Sequence, residues 1–284
     1  MIKNLIISMR PKQWYKNALI FIGLVFSPNL LNQDMWLKSG MAFITFCLLS
    51  SGIYLLNDVL DVKADREHPT KRKRPIASGK LKVYCAVISS VVFILSALLM
   101  AYWINFNVLY ISIGFLVLNL GYSFKLKRVL FVDTLIIAVD FTIRAVAGCL
   151  AIGVEVSPWI TICAFLLALL LVFSKRRNEV ILLDAKADKH RLVLSDYSVE
   201  LCNQIIGISS SALIVSYCLY TFHTSNLWMM TTIPIVVYGI LRYLWLVKKN
   251  NMGGEPEKAM KDNGILLSIL VWASLCVGIL YIEV

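Results

Sequence analysis

The sequence predicts an all-α fold: a polytopic transmembrane bundle of about nine helices. Three observations lead there. Hydrophobic residues make up 59% of the 284 positions, and mean hydropathy is +0.75. Charged residues account for only 16%, against roughly 25% in an ordinary soluble protein. Apolar runs alternate with charged clusters along the whole chain, and the runs have the length of helices crossing about 30 Å of hydrocarbon. A soluble domain of this size would bury one core and would not show that succession.

The expected helices cover residues 17–34, 37–57, 82–102, 107–122, 132–153, 157–174, 202–222, 227–247 and 264–282. The fourth and sixth are short, so they extend into flanking polar residues or cross with little tilt. The whole chain, 1–284, reads as a single transmembrane domain. The start, MIKNLIISMRPKQWYKN, is basic and amphipathic and has no long uninterrupted apolar stretch, so no signal peptide is expected. Seven cysteines form no C-x-x-C pair and mostly sit inside apolar runs, as small buried side chains do. Three scattered histidines argue against zinc.

Charge supplies the expected orientation. With nine helices, 25 of the 28 Lys and Arg residues fall in the N-terminal segment and alternate loops on one side. The opposite loops hold only Lys38, and Arg144 and Arg242 lie inside helices. This is the positive-inside pattern of a multi-pass protein of the cytoplasmic membrane, N-terminus in and C-terminus out. The net charge of +11 is thus spent at a membrane edge and implies membrane lipids, not nucleic acid, as partner. The inner loops carry nearly all ionisable groups, so the chemistry is expected there.

After the second run comes Asn57-Asp58-Val59-Leu60-Asp61-Val62-Lys63-Ala64-Asp65. Asp58, Asp61 and Asp65 fall at i, i+3 and i+7, on one face of a helix. Three carboxylates beside a membrane core need a compensating cation. Oxygen donors without Cys or His suit a hard ion such as Mg²⁺, which reaches proteins through a few carboxylates plus substrate phosphates. A Ca²⁺ or proton site would use similar residues. The next segment holds Arg66, Lys71, Arg72, Lys73, Arg74 and Lys80 between stiffening prolines. Lys71, Arg72 and Arg74 suit a phosphate clamp beside the metal, whereas Lys73 and Lys80 suit a topology signal.

Other polar groups join this edge. Asp140 and Arg144 form an i, i+4 pair inside the fifth run, for structure or for substrate. Asp133 sits at the start of that run, a favourable place for a carboxylate. Tyr122, Ser123 and Lys125 leave the fourth run and could reach a phosphate. The third inner loop offers Lys175, Arg176, Glu179, Asp184 and Asp188, an acidic and basic mixture that could form a second half-site. Arg10 and Lys16, near Trp14 and Tyr15, either anchor the chain at the interface or reach a phosphorylated substrate.

The segment Asn57–Asp65 resembles the NDxxDxxxD signature of the UbiA superfamily of intramembrane prenyltransferases. The RPxxxG segment, Arg74 to Gly79, is similar as well. A finer resemblance is to the branch of decaprenyl-phosphate phosphoribosyltransferases. It rests on RPKQWxKN (Arg10–Asn17), DRxHPxKRxRPIA (Asp65–Ala77), Ile143-Arg144-Ala145-Val146-Ala147-Gly148, SPW (Ser157–Trp159), KRxxE (Lys175, Arg176, Glu179) and Glu255-Pro256. The resemblance implies a nine-helix bundle and Mg²⁺-dependent transfer of 5-phosphoribose from phosphoribosyl diphosphate to a polyprenyl phosphate. Asp58, Asp61 and Asp65 would hold the Mg²⁺–diphosphate, and Lys175, Arg176 and Glu179 would line the facing half. Asn57 and Arg66 are further expected substrate contacts, and Lys71, Arg72 and Arg74 of the basic loop are expected catalytic residues. Ordinary prenyltransferases carry a DxxxD motif in the later loop, and Asp184 and Asp188 offer that spacing. The rival expectation is therefore transfer of an isoprenoid chain from its diphosphate to a small acceptor. A transporter would need inverted repeats and broken midplane helices, and neither is visible. No oligomeric state is implied.

Overall fold

The computed structural model describes residues 1–27, 29–184, 196–224, 226–250 and 261–282, with the side chains of 183, 184, 250 and 282 outside the description. Its α-helices are α1 (Ile2–Met9), α2 (Ile22–Val25), α3 (Gln33–Leu60), α4 (Val62–Glu67), α5 (Val83–Ile104), α6 (Phe106–Phe124), α7 (Val132–Ile152), α8 (Pro158–Asp184), α9 (Val199–His223), α10 (Ile233–Asn250) and α11 (Asn263–Ile282). Among the described residues, eight helices are long and apolar enough to cross a membrane. The chain is a multi-pass membrane protein of the expected all-α class.

Local chemistry sets the boundaries. Asn32 starts α3 by accepting the amides of Asp34 and Met35 through its side chain. Asn105 separates α5 from α6, accepting the Val108 amide and donating to the Leu150 carbonyl. Ser198 caps α9 through the Leu201 amide. The short sixth run becomes α8, which continues ten residues past its expected end into Lys175–Asp184. The expected eighth helix starts as a 3₁₀ turn, Leu227–Thr232, before α10.

The first expected span, 17–34, is the main departure. The left-handed backbone of Arg10 (φ 55°) ends α1, and Pro11 opens a 3₁₀ helix that runs to Phe21 and passes into α2. Such a long 3₁₀ stretch is uncommon, and side chains three apart eclipse along it. The sequence uses that repeat. Trp14 donates to Ser51 Oγ, Asn17 donates to Cys47 Sγ, and Ile20 is fully buried. At about 2.0 Å per 3₁₀ residue and 1.5 Å per α residue, Pro11–Val25 extends roughly 28 Å. It has the reach of the ninth span without its α geometry.

Two compact units make up the chain: residues 1–24, 29–127 and 143–156, and residues 25–28, 128–142 and 157–284. In the first, α3 packs along α5 and α6 around Phe46, Leu49, Ile53, Val108 and Phe115, with Ala97, Ala101, Ala147 and Ala151 allowing close approach. A smaller cluster, Leu55, Ile76, Leu81 and Ala86, lies beneath the basic loop. In the second, α8, α9, α10 and α11 share a core that includes Leu170, Phe173, Leu213, Tyr243 and Leu246.

Gly148 pins the 3₁₀ segment to α7. A Cβ built there would lie 1.9 Å from the Ile20 carbonyl oxygen, inside any tolerable contact. Gly114 on α6 has open space at the same position. Gly148→Ala should cost ~1–3 kcal/mol or more by overpacking, whereas Gly114→Ala should leave stability within about 1 kcal/mol. Thermal unfolding in detergent checks the pair. Equal melting temperatures would show that the close approach does not exist.

Candidate active site

The carboxylates at the end of α3 do not stay on one continuous helical face. Asp61 leaves helical geometry (φ −91°, ψ 7°) and divides α3 from α4. The expected line of three therefore splits into two ion-pair groups. Asp58 and Asp65 are buried and share the Arg74 guanidinium, whose Nη1 lies 3.0 Å from Asp58 Oδ1 and 2.7 Å from Asp65 Oδ2. Arg10 Nη2 approaches the same Asp58 oxygen at 2.5 Å. Asp61 is gripped instead by Lys127, whose Nζ is 2.7 and 2.9 Å from the two carboxylate oxygens. A bound cation and an arginine offer carboxylates the same relief, so Arg74 and Arg10 offset the desolvation of Asp58.

Each arm has a visible support. Arg10 stacks over Tyr54, 4.9 Å from the ring centroid. The RPxxxG segment is a packed turn: the Ser78 amide bonds the Arg74 carbonyl and the Leu81 amide bonds the Pro75 carbonyl. Gly79 takes a left-handed φ of 76°, which glycine adopts without strain. The turn buries Ile76 and Leu81, and this burial aims Arg74 back at the carboxylates. Arg66 braces it by donating to the Ala77 carbonyl. His68 Nδ1 accepts the amides of Thr70 and Lys71, organising the start of the basic 3₁₀ turn Lys71–Lys73.

The donor set suits a hard divalent ion. Every group is oxygen, and the buried Asn57 Oδ1, one residue from Asp58, has no hydrogen-bond partner. No group of three His, Cys, Asp or Glu is gathered as a metal cage among the described residues. An ion such as Mg²⁺ takes only one or two carboxylates from protein and completes its shell with water and phosphate oxygens.

The second unit holds another buried charged group. Arg176, 4% exposed, donates to Asp133 Oδ2 and to Glu179 Oε2, both at 2.6 Å. Tyr197 donates to Asp133 Oδ1 at 2.9 Å and accepts the amide of Phe131, itself left-handed at φ 64°. Burial, with the Asp133 carboxylate beside it, pushes the Tyr197 hydroxyl up to about 12, so it remains a donor at working pH.

Sequence reasoning thus found Arg10, Asp58, Asp65, Arg74, Arg176 and Glu179 in real clusters. Arg72, Lys125 and Lys175 are exposed, and Tyr122 and Lys16 are half-buried. Asp140 is buried in α7. Arg144 is held inside the first unit, donating from Nε to Asn17 at 2.7 Å and lying 4.8 Å from the Phe115 centroid. The side chain of Asp184, all of Asp188, and Glu255-Pro256 lie outside the described residues. Three participants were missed. Lys127 adjoins the cluster around Lys125, so charge alone could have suggested it. Asp133 was read as a helix-start residue. Tyr197 gave no sequence signal.

Eight long apolar helices among the described residues define a polytopic membrane protein, with buried carboxylates held by arginines where α3 ends. The chain belongs to the UbiA prenyltransferase family, whose model matches residues 18–269. Decaprenyl-phosphate phosphoribosyltransferase of Corynebacterium glutamicum is 32% identical over 98% of this chain and 87% of its own. The protein of that name from Mycobacterium tuberculosis is 31% identical over 96% and 92%. A UbiA homologue from Archaeoglobus fulgidus, bound to GPP and Mg²⁺, shares the fold with a TM-score of 0.72 at 15% identity, covering 98% of this chain and 99% of its own.

Two variants test the ion pairs. Arg74→Ala strands buried Asp65 and leaves buried Asp58 to Arg10 alone, and should destabilise by ~2–3 kcal/mol, somewhat below a fully buried pair because Arg74 is part-exposed. Tyr197→Phe removes a donor from buried Asp133 and should cost ~1–3 kcal/mol. Both are read by unfolding in detergent at pH 7, and unchanged stability in either would refute its pairing.

Proposed function

We propose that this chain transfers 5-phosphoribose from phosphoribosyl diphosphate to a polyprenyl phosphate, releasing diphosphate, with Mg²⁺ as cofactor. One observation carries the reading: near-full-length similarity to phosphoribosyltransferases acting on a polyprenyl phosphate. The site's chemistry agrees with it. One or two carboxylates from among Asp58, Asp61 and Asp65, with Asn57 beside them, would hold Mg²⁺. Bound there, the ion would neutralise diphosphate oxygens and favour their departure.

The remaining work falls to side chains of the chain itself. Arg10, Arg74 and Lys127 now neutralise carboxylates, and each can turn to phosphate oxygens. Arginine does so bidentately, and lysine as a point charge. As the bond from the anomeric carbon to the diphosphate oxygen breaks, its electron pair leaves with diphosphate, and these cations stabilise the charge gathering there. A lipid-phosphate oxygen then forms the new bond to the anomeric carbon. The acceptor is already anionic, so no proton need be removed and no histidine base is required. The basic loops, including Lys71 and Arg72, are assigned to the cytoplasmic edge, where a soluble sugar diphosphate and a lipid phosphate can meet.

Purified protein should move label from phosphoribosyl diphosphate into the organic phase when polyprenyl phosphate and Mg²⁺ are supplied, and a chelator should stop it. Asp58→Asn should lower the rate about 100-fold or more, the scale of losing one electrostatic element of a site. Label that stays aqueous while an isoprenoid diphosphate is consumed would overturn the assignment in favour of prenyl transfer.

A further inference from the structure

Within the second unit, α9 and α10 run antiparallel and leave a groove of about 360 Å³ between them. Asn203, Ile206 and Gly207 line it from α9, and Leu241, Leu244, Trp245, Val247 and Lys248 from α10. The lining is of two kinds. Asn203 and Val247, both bonded by Arg177, meet beside Lys248, and Ile206, Gly207, Leu241 and Leu244 supply an apolar trough. Gly207 has nothing within 4 Å of a Cβ position, so the trough is open there.

The polar end is built. Arg177, on α8, donates to Asn203 Oδ1 at 2.8 Å and to the Val247 carbonyl at 3.3 Å, fixing α9 and α10 where they meet. Lys249 and Arg242 both lie over the exposed Trp245 ring, at 4.6 and 4.8 Å from its centroid. Asp262 neutralises Arg242 through paired hydrogen bonds, which hold the Asp262 carboxyl below its ordinary value and hence ionised. No described carboxylate pairs with Lys248 or Lys249, and both are exposed. The groove therefore joins an apolar trough to an exposed tryptophan and to lysines that no described carboxylate pairs.

We propose that this groove binds a glycerophospholipid with an anionic headgroup. Its phosphate sits at Lys248 and Lys249, and one acyl chain lies along Ile206, Gly207, Leu241 and Leu244. The match is one of charge and polarity together. Lysines at the membrane edge attract anionic lipid, Trp belongs at headgroup level, and the trough accepts hydrocarbon. The groove shares no residue with the carboxylate cluster, and lipid binding there does not depend on the transfer reaction.

Native mass spectrometry of the full chain, released from micelles doped with phosphatidylglycerol or phosphatidylcholine of identical chains, tests it. The wild type should retain one phosphatidylglycerol at concentrations about fivefold or more below those needed for phosphatidylcholine. Lys248→Ala should reduce that preference, and Gly207→Leu should abolish retention by filling the trough. Leu241→Trp fills it from the other helix and carries the test if Gly207→Leu does not fold. Equal retention of both lipids by the wild type would overturn the proposal. So would undiminished phosphatidylglycerol in the two filled variants, or polyprenyl phosphate displacing it selectively.

Discussion

Carboxylates at the end of an apolar helix must be compensated, and much of the first unit is arranged to compensate them. Asp58 and Asp65 are both buried at 3% exposure. Left alone, each would bear a desolvation cost of several kcal/mol. Arg74 answers both, and Arg10 answers Asp58 again. Meeting that requirement fixes a long stretch of chain. Arg74 can arrive only because Ile76 and Leu81 anchor its turn. Arg10 can arrive only because its backbone turns left-handed between α1 and the 3₁₀ helix. That conformation is uncommon for a non-glycine residue, and the Asp58 contact and Tyr54 stacking help to hold it.

The same logic extends down the 3₁₀ helix. Asn17 accepts from Arg144 on α7 and donates to Cys47 on α3, so one amide ties three elements together. Trp14 reaches Ser51 one turn along α3 from Cys47, and Ile20 meets Gly148 one turn along α7 from Arg144. Two of the sequence motifs, Arg10–Asn17 and Ile143–Gly148, are thus halves of one packed joint. Arg144 is best understood within that joint. Its guanidinium is buried against Phe115 and Asn17, and through Asn17 it steadies the segment that delivers Arg10.

The helices were legible because hydrophobic length is a bulk property that no local contact needs to supply. Residues 37–57, 82–102 and 132–153 became α3, α5 and α7 with shifts of a few residues at most of their ends. The segment 17–34 was misread in its geometry because hydropathy does not separate 3₁₀ from α winding. The signal was a three-residue spacing of Trp14, Asn17 and Ile20, which gains meaning only once their partners are known. The Asp58–Asp65–Arg74 group was readable from charge density in a short stretch. Lys127, 66 residues from Asp61, and Tyr197, 64 from Asp133, were not, because their partnerships are made by the packing of helices.

Under the proposed reaction, the ion pairs acquire a second meaning. The three cations facing Asp58, Asp61 and Asp65 hold the positions a metal ion would relieve. Bringing a divalent ion to the carboxylates weakens their need for Arg10, Arg74 and Lys127, just as a diphosphate arrives with charge to be neutralised. The exchange conserves charge pairing: carboxylate–arginine contacts give way to carboxylate–metal and phosphate–arginine contacts. Little net charge is then left unpaired in a low-dielectric setting, where each uncompensated unit is costly. If it carries that reaction, a site prepared in this way would bind metal and diphosphate better together than either alone, because each would release the partner that the other requires.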